Sequence, residues 1–198
     1  MTSHPEPPDD FASVRLMIRP FARTWWRIHR AENDPIYFGR TGRNRFDTPE
    51  AEFGVLYLGA DTHCSFIETF GHATGVRFVT EAELRARELS AVAASRPLRL
   101  VDMRSNGLAR MGADAALTSG LDYGVAQRWA RAIHAHPRQP DGLLCRARHD
   151  PKRLSAAIFD RAANIVSAKR VGSLLAPQHA TLLADILDTY RFGLVGGV

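Results

Sequence analysis

Apolar residues recur along this chain in two rhythms, one with the period of a strand and one with that of a helix. In TWWRIHR, Thr24 to Arg30, Trp25, Arg27 and His29 share one face while Trp26 and Ile28 share the other, which predicts a strand. FGVLYLG, Phe53 to Gly59, is a second run of branched and aromatic residues. Leu98 to Asp102 is a third. GLLCRARH and LSAAIFD add two more, joined by a turn around Asp150 and Pro151, and a further strand is expected near Val171 to Leu175. Helical spacing is clearest in DYGVAQRWARAIHAHP, where Ala126, Trp129, Ala130 and Ile133 form an apolar stripe and Pro137 ends the helix. Asp61 or Thr62 can cap a helix through roughly Gly71. Thr80 and Glu83 have the form of a capping box, which predicts a helix to about Ser90. Ser105 can cap a short helix ending near Met111. Pro177 opens a last helix to about Tyr190, with Leu182, Leu183, Ile186, Leu187 and Tyr190 facing inward.

These elements are interspersed without regular alternation, so the chain reads as one α+β domain with mostly antiparallel strands. Residues 1–12 are polar and rich in proline and read as a disordered tail, with the domain spanning 13–198. No GxGxxG motif follows the first strand, so a Rossmann dinucleotide site has no support.

Composition narrows the class. The hydrophobic share of 45% and charged share of 24% over 198 residues are those of a globular domain that needs no staples. No apolar run approaches the ~20 residues of a membrane helix. The first ten residues lack the basic start and apolar stretch of a secretory signal, so a cytoplasmic location is expected. Cys64 and Cys145 read as buried reduced thiols. His134 and His136 lack further ligands nearby and read as an exposed helix end, so no metal is expected. The net charge is +5, and nearly all the basic residues are arginine, Lys152 and Lys169 excepted. From Arg15 to Arg45 eight arginines face two acids, Glu32 and Asp34, which makes either a phosphate- or acid-binding surface or a solvated basic face. No nucleic-acid module is evident, and direct nucleic-acid binding is not expected.

Three segments carry candidate chemistry. In WRIHR, Arg27 sits mid-strand; it can hold a pyrophosphate through paired hydrogen bonds, or pair with a carboxylate such as Glu68 or Asp102. In GRTGRNRF, Gly39 and Gly42 permit a tight backbone while Arg40, Arg43 and Arg45 supply charge, which makes either a phosphate-hugging loop or a flexible basic one. Tyr57 beyond it can stack on a flat ring, bind a ligand or belong to the core. In SFIETFG, Glu68 is a lone carboxylate among Phe66, Ile67 and Phe70, facing either solvent or a functional partner.

Taken in order, WRIHR, GRNRFDTP, FGVLYLG, FIETFG, DGLLCRARHDP and AIFDR resemble the RES-domain family, over roughly Thr24 to Arg161. The resemblance implies a fold like that of ADP-ribosyltransferases and an enzyme acting on NAD⁺. It implies a toxin paired with a helix-turn-helix antitoxin of the Xre type. NAD⁺ is then a substrate, cut at the nicotinamide–ribose bond, with inorganic phosphate as the expected co-substrate and no prosthetic group. ADP-ribosylation of a protein is the alternative activity. The family arginine of the first strand falls on Arg27, the loop arginine on Arg43 or Arg45 (Arg45 being favoured), the strand tyrosine on Tyr57 and the glutamate on Glu68. Arg27 and Glu68 take the catalytic roles, and Arg27, Arg43, Arg45, Tyr57 and the residue at position 147, Ala147, bind the dinucleotide. The family serine falls on Ala147, a departure that Arg146, Arg148 or Ser155 can offset, or that marks a weaker enzyme or a binding protein. Breaking the glycosidic bond builds positive charge on the ribose, which a carboxylate stabilises, while arginines hold phosphates and an aromatic wall such as Tyr57 or Trp25 holds a ring.

Overall fold

The computed structural model describes residues 5–73 and 75–196. Eight strands form one sheet: β1 (Ile18–Phe21), β2 (Trp25–Arg30), β3 (Val55–Gly59), β5 (Arg87–Ala94), β6 (Leu98–Asp102), β7 (Gly142–Arg146), β8 (Leu154–Phe159) and β9 (Val166–Gly172). Their spatial order is β1-β6-β7-β8-β3-β2-β5-β9, and every neighbouring pair is antiparallel except β6 with β7. β4 (Phe78–Thr80) and β10 (Gly193–Val195) form a separate parallel pair. The architecture is the mostly antiparallel α+β domain that the alternating runs predict.

The sheet curls. Leu98 and Leu100 of β6 and Val92 of β5 stand near opposite ends of the strand order, yet they share one buried cluster with Trp25, Leu56, Leu144 and Ile158. On the outer face two further clusters form side by side. Helix α5 (Tyr123–Ala135) lays Val125, Ala126, Trp129, Ala130 and Ile133 against Val55, Leu143 and Ala157. Helices α1 (Thr62–Phe70) and α6 (Ala180–Tyr190) pack Phe66, Ile67, Leu183 and Ile186 with Trp26 and Ile28 of β2. Each large side chain so buried contributes about 1.5–3 kcal/mol before entropy is counted. Between these two outer clusters the strands β3, β7 and β8 floor a cleft.

Sequence and structure part at several elements. The Thr80–Glu83 capping box forms, but the helix it opens, α2 (Glu81–Arg85), is short, and Arg87–Ala94 is a strand, not the end of a helix. Its alanines favour helix locally; pairing with β2 on one side and β9 on the other overrides them. The strand expected at Val171–Leu175 lies at Val166–Gly172, where Lys169 and Arg170 on a sheet edge hide the alternation. The tail expected to be disordered through residue 12 is anchored by specific contacts where it is described, although most of its residues stay exposed. Phe11 is buried edge-on to Trp129 at 5.4 Å, and Glu6 pairs with Arg128 at 2.6 Å. Residues 1–4 of that expectation lie outside the described residues. His136 is buried rather than exposed, and His134 stacks on Phe53 at 4.0 Å. Cys64 and Cys145 are buried free thiols, as expected.

Candidate functional site

The cleft has a volume of about 380 Å³. Tyr57 and Gly59 of β3, Cys145 of β7 and Ser155 of β8 form its floor, because these positions share the outer face of the sheet. One wall is α1, which presents Ser65, Glu68 and Thr69, with His72 just beyond its end. This helix begins close above the floor: a Cβ on Gly59 would lie 2.6 Å from Ser65 Oγ, so only glycine fits there. Asp61 caps the helix by accepting from the Cys64 N–H at 2.7 Å. Arg45, Thr118 and Tyr123 make the opposite wall. The cleft opens where β2 and β3 part, since those strands share a single register pair, Trp26 with Gly59.

The loop that carries Arg45 is fixed, not flexible. Gly42 takes φ +68°, a left-handed conformation that suits glycine. The fully buried carboxylate of Asp47 gathers the loop: its Oδ2 accepts from Thr41 Oγ1 at 2.9 Å, the Asn44 N–H at 3.2 Å and Asn44 Nδ2 at 3.1 Å. Gln127 of α5 donates to the carbonyls of Gly42 and Asn44 at 2.8 and 3.0 Å. Tyr57 closes the network by donating to Asp47 Oδ1 at 2.9 Å and accepting from the Phe46 N–H at 3.0 Å. Burial, with Asp47 alongside, raises the Tyr57 phenol well above its ordinary value, so it stays protonated.

This scaffold places Arg45 at the wall, buried, with its guanidinium 4.7 Å from the centre of the Tyr123 ring. Neither terminal nitrogen has a hydrogen-bond partner among the described residues. Burial lowers its pKa, and Arg148 adds to the lowering, yet a guanidinium stays charged throughout the physiological range. A buried cation without an acceptor is costly, and an anionic ligand supplies the missing acceptor. Arg148 lies beside it and donates to Tyr123 Oη at 2.9 Å. Across the cleft Glu68 Oε1 accepts from the His149 N–H at 2.9 Å, and no other hydrogen bond to its carboxylate is found among the described residues. The His149 ring meets His72 edge-on at 5.3 Å. Burial pushes the His149 pKa down, although Glu68 opposes this.

Of the residues singled out from the sequence, Arg27, Arg45, Tyr57 and Glu68 border one cleft. Arg27 comes from the strand face opposite Trp26, and its Nη1 donates to the carbonyl of Pro35 at 2.7 Å. Burial lowers its pKa. It pairs with neither carboxylate considered from sequence: Glu68 is bound to His149 and Asp102 to Arg104 and Arg19. Arg43 is exposed and is not among the cleft residues; the loop turns it outward. Arg40 pairs with Asp160 at 2.6 Å instead of facing a phosphate, and Gly39 bridges to Val55. Ala147 is buried just past β7 and does not line the cleft. The hydroxyl present at that end belongs to Ser155, which lies 3.2 Å from Cys145 Sγ. Trp25 is buried inside the curled sheet, and the tryptophan of the cleft is its neighbour Trp26, one strand position away on the other face. Sequence reading missed Tyr123 and His72, which sit on a helix and after one with no distinguishing local pattern.

The site is therefore a basic cleft: Arg45 and Arg148 face it opposite Glu68, the one carboxylate among its lining residues, while Arg27 and Arg146 border it with guanidiniums that donate to the carbonyls of Pro35 and Pro151. It suits a ligand that carries phosphates near a centre that develops positive charge. Among the described residues no group of three or more His, Cys, Asp or Glu is arranged for a metal ion, and no helix is long and apolar enough to cross a membrane.

The chain is similar to known proteins in both sequence and fold. It is 31% identical over 114 residues to a probable toxin, y4kH, of Sinorhizobium fredii (strain NBRC 101917 / NGR234), a match covering 58% of this chain and 87% of that protein. In structure it resembles a chain from the crystal structure of the M. tuberculosis MbcT–MbcA toxin–antitoxin complex. The TM-score is 0.68 at 17% identity, covering 88% of this chain and 96% of that one, which is a likeness of fold. The RES domain model matches residues 24–182, and the chain belongs to the RES domain family.

Proposed function

We propose that this protein is the toxin of a toxin–antitoxin pair and that its cleft binds NAD⁺ and breaks the nicotinamide–ribose bond. The observation that carries this reading is the opposition of Arg45, buried with both terminal nitrogens unpartnered, and Glu68 across one cleft. Family membership and the probable-toxin relative support it.

The division of labour follows from the chemistry. Arg45 and Arg148 take the pyrophosphate, whose oxygens satisfy the free guanidinium donors. Glu68, steadied by the His149 N–H, faces the ribose. As the C1–N bond breaks, its electron pair leaves with nicotinamide, which departs neutral, and the sugar gains oxocarbenium character that the carboxylate stabilises. An oxygen of inorganic phosphate then bonds to C1, giving ADP-ribose 1-phosphate and free nicotinamide. A phosphate acceptor is favoured over water because the excess positive charge of the cleft attracts a second anion. The proposed partner is a helix-turn-helix antitoxin of the Xre type.

The test is incubation of the purified protein with NAD⁺, with and without phosphate, followed by mass measurement of the products. The expected result is nicotinamide release that depends on phosphate and yields the phosphorylated sugar. Release of free ADP-ribose at the same rate without phosphate would replace phosphorolysis by hydrolysis. Mass added to a protein would replace it by ADP-ribosyl transfer.

A further inference from the structure

Glu68 is held from two directions, and one side chain joins them. The first hold is the His149 N–H, in the turn between β7 and β8. The second is α1 itself, set by its cap at Asp61. Arg153 spans both. Its Nη1 lies 2.8 Å from Asp61 Oδ2, and its Nε donates to Asp150 Oδ2 at 3.0 Å, one residue from His149. The Arg153 backbone closes the same turn by accepting from the Ala147 N–H at 3.0 Å and donating to the Asp150 carbonyl at 2.9 Å. Tyr190, from the end of α6, donates to the same Asp150 oxygen at 3.0 Å.

We infer that Arg153 is a positioning residue for Glu68: it ties the helix that carries the carboxylate to the turn that supplies the carboxylate's hydrogen-bond donor. Arg153 is absent from the cleft lining, so it acts through Glu68 and not on the ligand. The planar guanidinium matters, because its separate nitrogens reach two carboxylates in fixed directions, which an ammonium cannot do as well. Asp150, pulled down by its hydrogen bonds to Lys152, Tyr190 and Arg153 despite burial, stays ionised to complete the bridge. The inference rests on the reading of Glu68 given above, and its test separates the two.

The test has a structural arm and a kinetic arm. In Arg153→Met, exchange of the His149 amide hydrogen should accelerate by at least about tenfold while α5 amides keep their rates, as expected for a local opening. For NAD⁺ cleavage, kcat should fall at least about tenfold with KM within about twofold, since the phosphate grip is untouched. Arg153→Lys should recover part of the loss. On a Glu68→Gln background, Arg153→Met should cost nothing more. Asp150→Asn, a milder change, should reproduce the pattern if Arg153→Met does not fold. Unchanged His149 exchange, or an equal loss of kcat with and without Glu68, would overturn the inference. If the wild-type protein cleaves no NAD⁺, the NAD⁺ reading fails and the exchange arm alone decides whether Arg153 positions Glu68.

Discussion

The Tyr57 hydroxyl donates to Asp47 Oδ1 at 2.9 Å, and this contact ties the Arg45 loop to the floor of the cleft. Tyr57 thus spends its hydroxyl on the protein, and only its ring faces the cleft. Tyr57→Phe keeps the ring but leaves Asp47 Oδ1 and the Phe46 N–H without this partner, at a cost of about 1–3 kcal/mol. The expected result is a lower melting temperature and a severalfold rise in KM for NAD⁺, with a smaller effect on kcat. A variant with unaltered melting and KM would show that the loop holds Arg45 without Tyr57.

Glu68→Gln preserves the acceptor that meets the His149 N–H and removes the charge. If the carboxylate stabilises the ribosyl cation, NAD⁺ cleavage should fall by at least ~10²-fold while the fold persists. Full activity in a folded Glu68→Gln protein would end that role.

Arg45 gives a prediction of opposite signs. A buried guanidinium whose terminal nitrogens lack acceptors destabilises the empty protein. Arg45→Met should raise the melting temperature without ligand and weaken NAD⁺ binding by at least about tenfold, the worth of one charge-assisted contact. A lower melting temperature with intact binding would make Arg45 part of the scaffold instead.

How much of this was legible in the sequence depends on whether a feature is local. The Thr80 box, the Asp61 cap and the α5 stripe are written in neighbouring residues, and the structure contains each. Strand β5 was not legible because its state is decided by β2 and β9, from distant parts of the chain. The same distinction holds in the cleft. Arg27, Tyr57 and Glu68 stand in motifs, so order along the chain found them. Tyr123 becomes a neighbour of Arg45 only when α5 packs beside the Arg45 loop, and His72, though close to Glu68 along the chain, meets His149 only when the β7–β8 turn folds against α1. Arg43 and Arg45 look alike in GRNRF, and only the Asp47 network determines which one turns inward.

Acid should weaken the fold through His134. Burial against Phe53 and Phe159, with repulsion from Arg161, pushes its pKa down to about 4. The unfolded chain takes up this proton near pH ~6.5 and the folded protein does not, so stability is full above that value and is lost as pH falls toward ~4. His29 and His149 are shifted in the same direction, so the comparison must be with His134→Phe. Denaturant midpoints of the wild type should drop between about pH 7 and pH 4.5, and the variant should drop less. Parallel profiles would remove His134 as a source of the slope.

Ala147 and Ser155 should respond to exchange of a hydroxyl in opposite ways. Ala147 is buried outside the cleft, and its N–H is bound to the Arg153 carbonyl at 3.0 Å. A hydroxyl added there meets packed protein, not ligand, so Ala147→Ser should change NAD⁺ cleavage by no more than about tenfold, the equivalent of ~1.4 kcal/mol. Ser155 is on the cleft floor, 3.2 Å from Cys145 Sγ, a thiol that burial pushes up to about 11 and so keeps protonated and unreactive. Ser155→Ala removes the one hydroxyl the β8 floor offers a ribose or phosphate oxygen. It should raise KM by a few-fold, in line with one neutral hydrogen bond of ~0.5–1.5 kcal/mol. Steady-state kinetics of the two variants, with melting curves to confirm folding, decide the matter. A gain of several orders of magnitude from Ala147→Ser would mean that the natural protein is nearly inactive and that a hydroxyl at residue 147 reaches the ligand after all.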